Sequence, residues 1–376
     1  MFNNNLSYSH NTDDNLVNDY DTLTHNYSQN SDVTNNEGLS RFEDRPSLRF
    51  SRNFRKNLSD RYSRYINVAA AINGQLLSEQ NRSDISNRNL DRKFSFFLPG
   101  AQISYSYKRN RRYEITMDLS QNNSAGIPGV DQLYPIRDST NQYSFSLGNP
   151  NLKPFYNNNI DYSFEYKKQS NQDKSELNIR TSFKAGQTRF GITDSSFYHP
   201  NGSRDIYLIN IEKGRKTLSA GASISSSFKL KNDMLQISYS GNYANNKTPN
   251  YIDGIYSVAT NDNISNSLTV FYSLGDLLTV QINQGINFNN SLQTGKNLKS
   301  FKNTTYNTDA GVNIKYPKNF VISNTFSYVN NKTANQSAAL WNAFVTYRFL
   351  KSQSAELKFS AMDILRQNKN ISVTAN

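Results

Sequence analysis

The sequence predicts an all-β fold, an antiparallel transmembrane β-barrel with about fifteen strands present. The first observation behind this expectation is alternation. In LGNPNLKPFYNNNIDYSFEYKK, residues 147 to 168, Ile160, Tyr162, Phe164 and Tyr166 share one parity and Asn159, Asp161, Ser163 and Glu165 the other. That is the pattern of a strand with one apolar and one polar face. The second is composition: of 376 residues only 36% are hydrophobic, against roughly 45 to 50% in a water-soluble domain, yet 12% are aromatic. Disordered chains are depleted in aromatics, whereas a barrel needs apolar residues only on its lipid face and is polar in its lumen and loops. A mean hydropathy of -0.74 therefore does not argue against a membrane. No run approaches the length of about 18 apolar residues that a spanning helix requires. The third observation is a regular alternation of short with long connections between strands.

The elements follow in order. Weaker strand segments lie near residues 2 to 10, 46 to 55, 60 to 73 and 93 to 100. Ile103, Tyr105 and Tyr107 then alternate with Gln102, Ser104 and Ser106, and after the basic turn KRNRR the same holds for Tyr113, Ile115, Met117 and Leu119. This is a hairpin. Beyond the strand at 159 to 166 come segments near 175 to 188 and 205 to 229, then Leu235, Ile237, Tyr239 and Tyr243 on one face. Leu268, Val270, Tyr272 and Leu274 lead through Gly275 and Asp276 into Val280, Ile282, Ile286 and Phe288. The last strands fall near 303 to 316, 320 to 328, 343 to 349 and 355 to 361.

Short connections fall near 56 to 60, 108 to 112, 168 to 174, 230 to 233, 275 to 276, 317 to 318 and 350 to 354. Longer ones fall near 11 to 45, 74 to 92, 123 to 154, 189 to 204, 246 to 260, 292 to 302 and 333 to 337. A transmembrane barrel has short periplasmic turns and longer outward loops. The turn-rich stretch with Pro150 and Pro154 thus ends an outward loop just before a descending strand.

At this junction the residues carry a resemblance. LYPIRDSTNQYSFSLGNPNLKPFYNNNIDYSFEY, residues 133 to 166, resembles the GNPxLxP signature in the barrels of TonB-dependent receptors of Gram-negative outer membranes. YLINIEKGRKTLSAG at 207 to 221 and LKFSAMDILRQNKNIS at 357 to 372 are similar to other parts of that outer-membrane β-barrel family. Gly148, Asn149, Pro150, Leu152 and Pro154 match the motif, while Phe155 stands where many members have glutamate. The resemblance implies a structural role for the motif, shaping the return from loop to strand. It implies a 22-stranded parent barrel, a plug and a TonB-contacting segment. The N-terminal residues show no basic region followed by an apolar one, and residues 1 to 45 read as one strand and an Asn- and Asp-rich loop. Residues 1 to 376 are therefore expected to form one outer-membrane β-barrel domain, an incomplete part of a longer barrel, without plug or signal peptide.

Charge and chemistry narrow the function. Lys and Arg total 42 against 30 Asp and Glu, a net +12 with a pI of about 9.5. Basic residues such as Arg109, Arg111, Arg112, Lys167, Lys168, Lys229, Lys231, Lys296 and Lys299 gather at turns and loops, where they meet headgroups, so no nucleic-acid partner is expected. The chain has no cysteine, and His10, His25 and His199 lack metal-ligand spacing. No phosphate loop is present. Neither enzyme activity nor a cofactor is expected. Tyr105, Tyr107, Tyr113, Phe164, Tyr166, Tyr347 and Phe349 lie near short turns and read as an aromatic girdle at the headgroups. Tyr134, Tyr143, Tyr198 and Tyr251 lie in outward loops and are candidate ligand contacts. The expectation is the barrel portion of a receptor importing a scarce nutrient such as a siderophore, glycan or peptide, the uptake role resting on the resemblance. Its partners would be outer-membrane lipid, the TonB system through a plug absent from this chain, and the unknown ligand. The rival is a structural or adhesive surface barrel without active transport.

Overall fold

The computed structural model describes residues 1–30, 33–58, 61–110, 112–136, 143–168, 175–295, 299–350 and 354–367. Alternating residues favour the pleated strand, and nearly every described segment adopts it. The strands are β1 (Phe2–Asn15), β2 (Asn18–Asp21), β3 (Asn26–Gln29), β4 (Asn35–Leu58), β5 (Tyr62–Ser83), β6 (Leu90–Arg109), β7 (Tyr113–Gly126), β8 (Ser144–Leu147) and β9 (Phe155–Lys168). They continue as β10 (Ser175–Tyr198), β11 (Arg204–Leu230), β12 (Asp233–Ile252), β13 (Ile255–Leu274), β14 (Leu278–Gln293), β15 (Lys299–Ile314), β16 (Phe320–Asn331), β17 (Gln336–Phe349) and β18 (Ala355–Ala361). Among the described residues, one short helix, α1 (Val130–Leu133), and a 3-10 turn at Ser86–Arg88 interrupt the connections. Among the described residues no helix is long and apolar enough to cross a membrane.

The wall is one antiparallel sheet in chain order, β1-β4-β5-β6-β7-β9 and then β10 through β18, with β1 and β18 at its two ends. Fifteen strands lie on this path, as the alternation predicts, while β8 pairs β11 off the path and β2 and β3 form a separate hairpin. Register carries the two parities intact from strand to strand. Leu119, Tyr162 and Phe183 are neighbours across β7, β9 and β10. Ile224, Tyr239 and Leu268 form a second row on the same parity, and Val270, Ile282, Ala310 and Phe326 a third. Ile322, Val345 and Phe359 form one more row of the same parity on the last strands. The opposite face sets Asp118 beside Ser163 and Ser182, Thr269 beside Asn283, and Asn283 beside Asp309. Ile160, Tyr162, Phe164, Ile237, Tyr239, Ile282 and Val345 therefore share the apolar face, and Asp161, Glu165, Gln236 and Gln281 the polar one. Ile282 is 46% exposed on that apolar face, and among the described residues no second sheet covers it.

The apolar face has the dimensions of a bilayer core. From Ile264 to Leu274 on β13 are ten residue steps, which at about 3.4 Å each and a tilt of about 45° span about 24 Å, close to the ~25 Å apolar band of such barrels. At the short-turn rim Tyr62, Tyr107, Tyr113 and Tyr166 stack in a row with ring centroids 5.8, 5.7 and 5.9 Å apart. Phe320, Tyr347 and Phe349 repeat it on the last strands, at 4.5 and 5.6 Å. Polar side chains on the apolar parity find partners across strands. The Tyr239 hydroxyl donates to Asn266 Oδ1 at 2.7 Å, Thr308 Oγ1 to Gln284 Oε1 at 2.6 Å, and Trp341 Nε1 to Asn324 Oδ1 at 3.3 Å. In hydrocarbon an unpaired donor or acceptor has no water to turn to.

The strands run further than the alternation indicates. Residues 74 to 92 and 246 to 260, expected as long loops, are mostly strand: β5 reaches Ser83, β6 starts at Leu90, and β12 and β13 are joined by Asp253 and Gly254 alone. Above the apolar band both faces are wet, so the binary pattern fades while ladder pairing continues. Of the short connections, 169–174 and 351–353 lie outside the described residues, as do Arg111 and Lys296.

The two faces should answer differently to charge. Ile282→Lys is expected to cost about 2–4 kcal/mol of folding stability, near the barrel midplane value, whereas Gln281→Lys on the neighbouring inward position should change it by less than about 0.5 kcal/mol. Heat-modifiable gel migration of the two variants after denaturant titration checks this. Equal losses would contradict the assignment of faces.

Candidate functional site

The long-connection side builds a folded platform, and its origin is a crossing in one hairpin. In the wall β11 lies between β10 and β12. Above a register break at Gln187/Arg189, β8 pairs parallel with Arg204–Tyr207 of β11, and Ser195 and Ser196 of β10 pair with Tyr251 and Ile252 of β12. The local order there is β8-β11-β10-β12, so the upper hairpin is turned over relative to the wall. The crossing falls at two glycines: a Cβ on Gly214 would lie 3.1 Å from Gly191 Cα and 3.0 Å from the Thr188 carbonyl oxygen. Phe190 beside it takes the left-handed backbone, φ 55, a conformation that costs a non-glycine residue about 1 kcal/mol or more.

The motif at 148–154 carries the chain across this offset, from β8 beside β11 to β9 beside β10. Gly148 is required because a Cβ there would overlap the Leu133 carbonyl oxygen and Pro135 Cδ. Asn149 is buried: its backbone N–H donates to Gln132 O at 3.0 Å and its Nδ2 to Leu208 O at 2.8 Å. Its Oδ1 accepts from the Asn151 N–H at 3.0 Å, closing an Asx turn. Lys153 N donates to Asn210 Oδ1 at 2.6 Å, and Asn210 Nδ2 returns a bond to Lys153 O at 3.0 Å. Leu152 is buried too. Pro150 and Pro154 offer no N–H, so neither continues a ladder.

Below the platform, the segment around α1 lies against the polar face of β4–β6, held by buried ions. Glu79, with its side chain 1% exposed, receives Arg41 at 2.5 Å and also Arg92. Arg92 Nη1 donates to the Pro128 carbonyl at 2.9 Å. Arg88, 5% exposed, pairs with Glu37 at 2.6 Å and Asp131 at 2.8 Å, and bonds the Tyr134 carbonyl. Pro128, Val130 and Leu133 are buried with Leu77, Phe96 and Leu98. Between Leu133–Ile136, β8, Gly148 and Ile206 lies a cavity of about 780 Å³, within the usual range for organic ligands.

Three of the four candidate tyrosines sit on the platform. Tyr143 is 68% exposed and its carbonyl accepts the Arg204 N–H at 2.8 Å; Arg204 in turn pairs with Tyr198, itself 56% exposed. Tyr251 packs edge-on to Tyr256, centroids 5.6 Å apart. Tyr134 lines the cavity below. Residues 137–142 lie outside the described residues. Alternation and motif matching missed Arg88, Arg92, Glu37, Glu79 and Asn210. Their pairings join residues 13 to 57 apart in sequence, and no local signal marks them.

Among the described residues no group of three or more His, Cys, Asp or Glu is arranged to hold a metal ion. His10 bonds Ser40, His25 bonds Tyr20, and His199 Nε2 meets Asp205 Oδ2 at 3.0 Å. The nearby Ser203 hydroxyl donates to Asn201 Oδ1 at 2.7 Å, so the pair at His199 is not extended through that serine.

An open antiparallel wall with a lipid-width apolar face, a polar inner face and a folded outward loop cluster defines an integral β-barrel membrane protein. A model of the outer membrane protein beta-barrel family matches residues 69–260, and the chain belongs to that family. It is a protein of the cell outer membrane. Among solved structures it is similar to the outer-membrane expressed OmpT of Vibrio cholerae, with 11% identity over 78% of this chain and 88% of that one, at a TM-score of 0.25. It is also similar to the copper transporter OprC, with 8% identity over 93% of this chain and 66% of that one, at a TM-score of 0.28. No curated protein matches the chain.

Gly148→Ala should displace the Leu133 carbonyl and open the loop, while Asn149→Ala should leave the Leu208 carbonyl unpaired at a cost of about 1–3 kcal/mol. Limited proteolysis from outside intact cells is expected to cut both variants within residues 127–154 faster than the parent. Unchanged cleavage in both would remove the motif's structural role.

Proposed function

We propose that the chain is the wall and outward platform of a receptor that imports a scarce nutrient, energised through TonB by way of a plug outside this chain. The observation that supports it best is the loop cluster ordered by Gly148–Pro154. A purely structural barrel has no use for a cavity, a crossed hairpin and ordered exposed tyrosines at one place on its outward rim. The polar inner face, rich in Ser, Thr and Asn, gives a solute hydrogen-bond partners below that rim. Tyr134, Tyr143, Tyr198 and Tyr251 are assigned as ligand contacts, a non-enzymatic role, and Gly148, Asn149, Pro150, Leu152 and Pro154 as the scaffold beneath them.

Uptake of labelled siderophores, glycans and peptides by a strain carrying only the full-length gene tests the proposal. One class is expected to accumulate, and accumulation should stop when TonB is deleted. Tyr198→Ala should then weaken ligand binding about tenfold, about 1.4 kcal/mol, as removal of an aromatic anchor does, with the barrel still heat-modifiable. Absence of uptake in all three classes favours the structural or adhesive alternative.

A further inference from the structure

We infer that residues 127–136 form a releasable strap over the inner face of the wall, held by arginines that stay paired whether the strap is down or lifted. The inference rests on the reading that the polar face lines a solute path. The strap contributes few apolar anchors, Pro128, Val130 and Leu133. Its polar attachments are Arg92 to the Pro128 carbonyl, Arg88 to the Tyr134 carbonyl and the Asp131 carboxylate, and the Asn149 N–H of the motif to the Gln132 carbonyl.

Each arginine also has a partner on the wall. Arg92 is paired with Glu79 and Arg88 with Glu37, and register places Glu37, Glu79 and Arg92 on the inward parity of β4, β5 and β6. Lifting the strap leaves both of these ion pairs intact. What is lost is three carbonyl bonds, at Pro128, Gln132 and Tyr134, a small apolar contact and the Arg88–Asp131 pair. That last pair is the weak link, since the Asp131 side chain is 83% exposed while Arg88 is 5% exposed. Exposed pairs contribute little and are screened by salt. A fixed wall segment would have been tied down by buried pairs of its own. Here, among the described residues, the buried carboxylates Glu79 and Glu37 belong to the wall, and the strap offers one solvated acid and three main-chain oxygens. The flanks on either side are anchored independently, at Gly126 paired with Phe155 and at Ser144–Leu147 paired with β11, so the middle can lift without unravelling β7 or β9.

The chain contains no cysteine, so a single reporter thiol reads the strap directly. In the full-length protein in the outer membrane, Val130→Cys is expected to react with a membrane-impermeant maleimide at least tenfold more slowly than Leu23→Cys, whose native side chain is 91% exposed. Adding Asp131→Asn, which spares both wall pairs, should speed the Val130→Cys reaction about three- to tenfold, with heat modifiability unchanged. Raising salt from 0.05 to about 0.5 M should act in the same direction in the parent. Equal rates at the two positions in the parent would show that the strap is not seated. Continued protection with Asp131→Asn at high salt would show that it is a fixed part of the wall. Either result overturns the inference without reference to uptake, so failure here and failure of the receptor proposal are separable.

Discussion

The constraint on which the structure depends is that hydrocarbon supplies no hydrogen-bond partner to a peptide group. Each strand must therefore pair along its length with a neighbour, and the register from β4 to β18 does this with few breaks. Once the ladder is continuous, a period of two sends every second side chain to lipid. That requirement, more than the count of apolar residues, explains how a chain only 36% hydrophobic makes a membrane wall. The same constraint reaches the side chains. Gly241 leaves room where the Tyr239 hydroxyl meets Asn266, a Cβ there lying 2.9 Å from the amide oxygen.

Above the bilayer the constraint relaxes, and the fold departs from a simple meander. The β10–β11 hairpin turns over at Gly191 and Gly214, and the motif steps the chain sideways to meet it. Buried ion pairs join apolar burial there, with Leu77, Phe96, Leu98, Val130 and Leu133 packed beside them. The buried pairs around Glu79 and Glu37 fix the inner surface, and such pairs give position at a desolvation cost that their attraction must offset.

How much of this was legible in the sequence follows from the range of the signal. Ile160, Tyr162 and Phe164 announce their face because the period is local, and every wall strand was found for that reason. The aromatic rows were visible because girdle tyrosines sit beside recognisable turns such as 108–112. Residues 74–92 read as a loop because Glu79, Asn81 and Arg82 break the alternation, and their partners, Arg41, Arg88 and Asp91, could not be paired by inspection. The motif marked the right place, the return to the wall, and gave no sign of what it fastens to. Asn149 meets Leu208 and Lys153 meets Asn210, 59 and 57 residues on. β8 escaped notice because four residues carry too little periodicity.

The turned-over hairpin also sets the range of the contacts that complete the rim. Most wall strands can zip in sequence, hairpins such as β12–β13 and β13–β14 closing on residues a few positions away, a local and fast event. The segment from β8 through the motif cannot be completed by its sequence neighbours, because its partners on β11 lie 60 residues on and present the correct edge only with the glycine crossing formed. The outward rim thus depends on contacts of much longer sequence range than the hairpins of the wall beneath it.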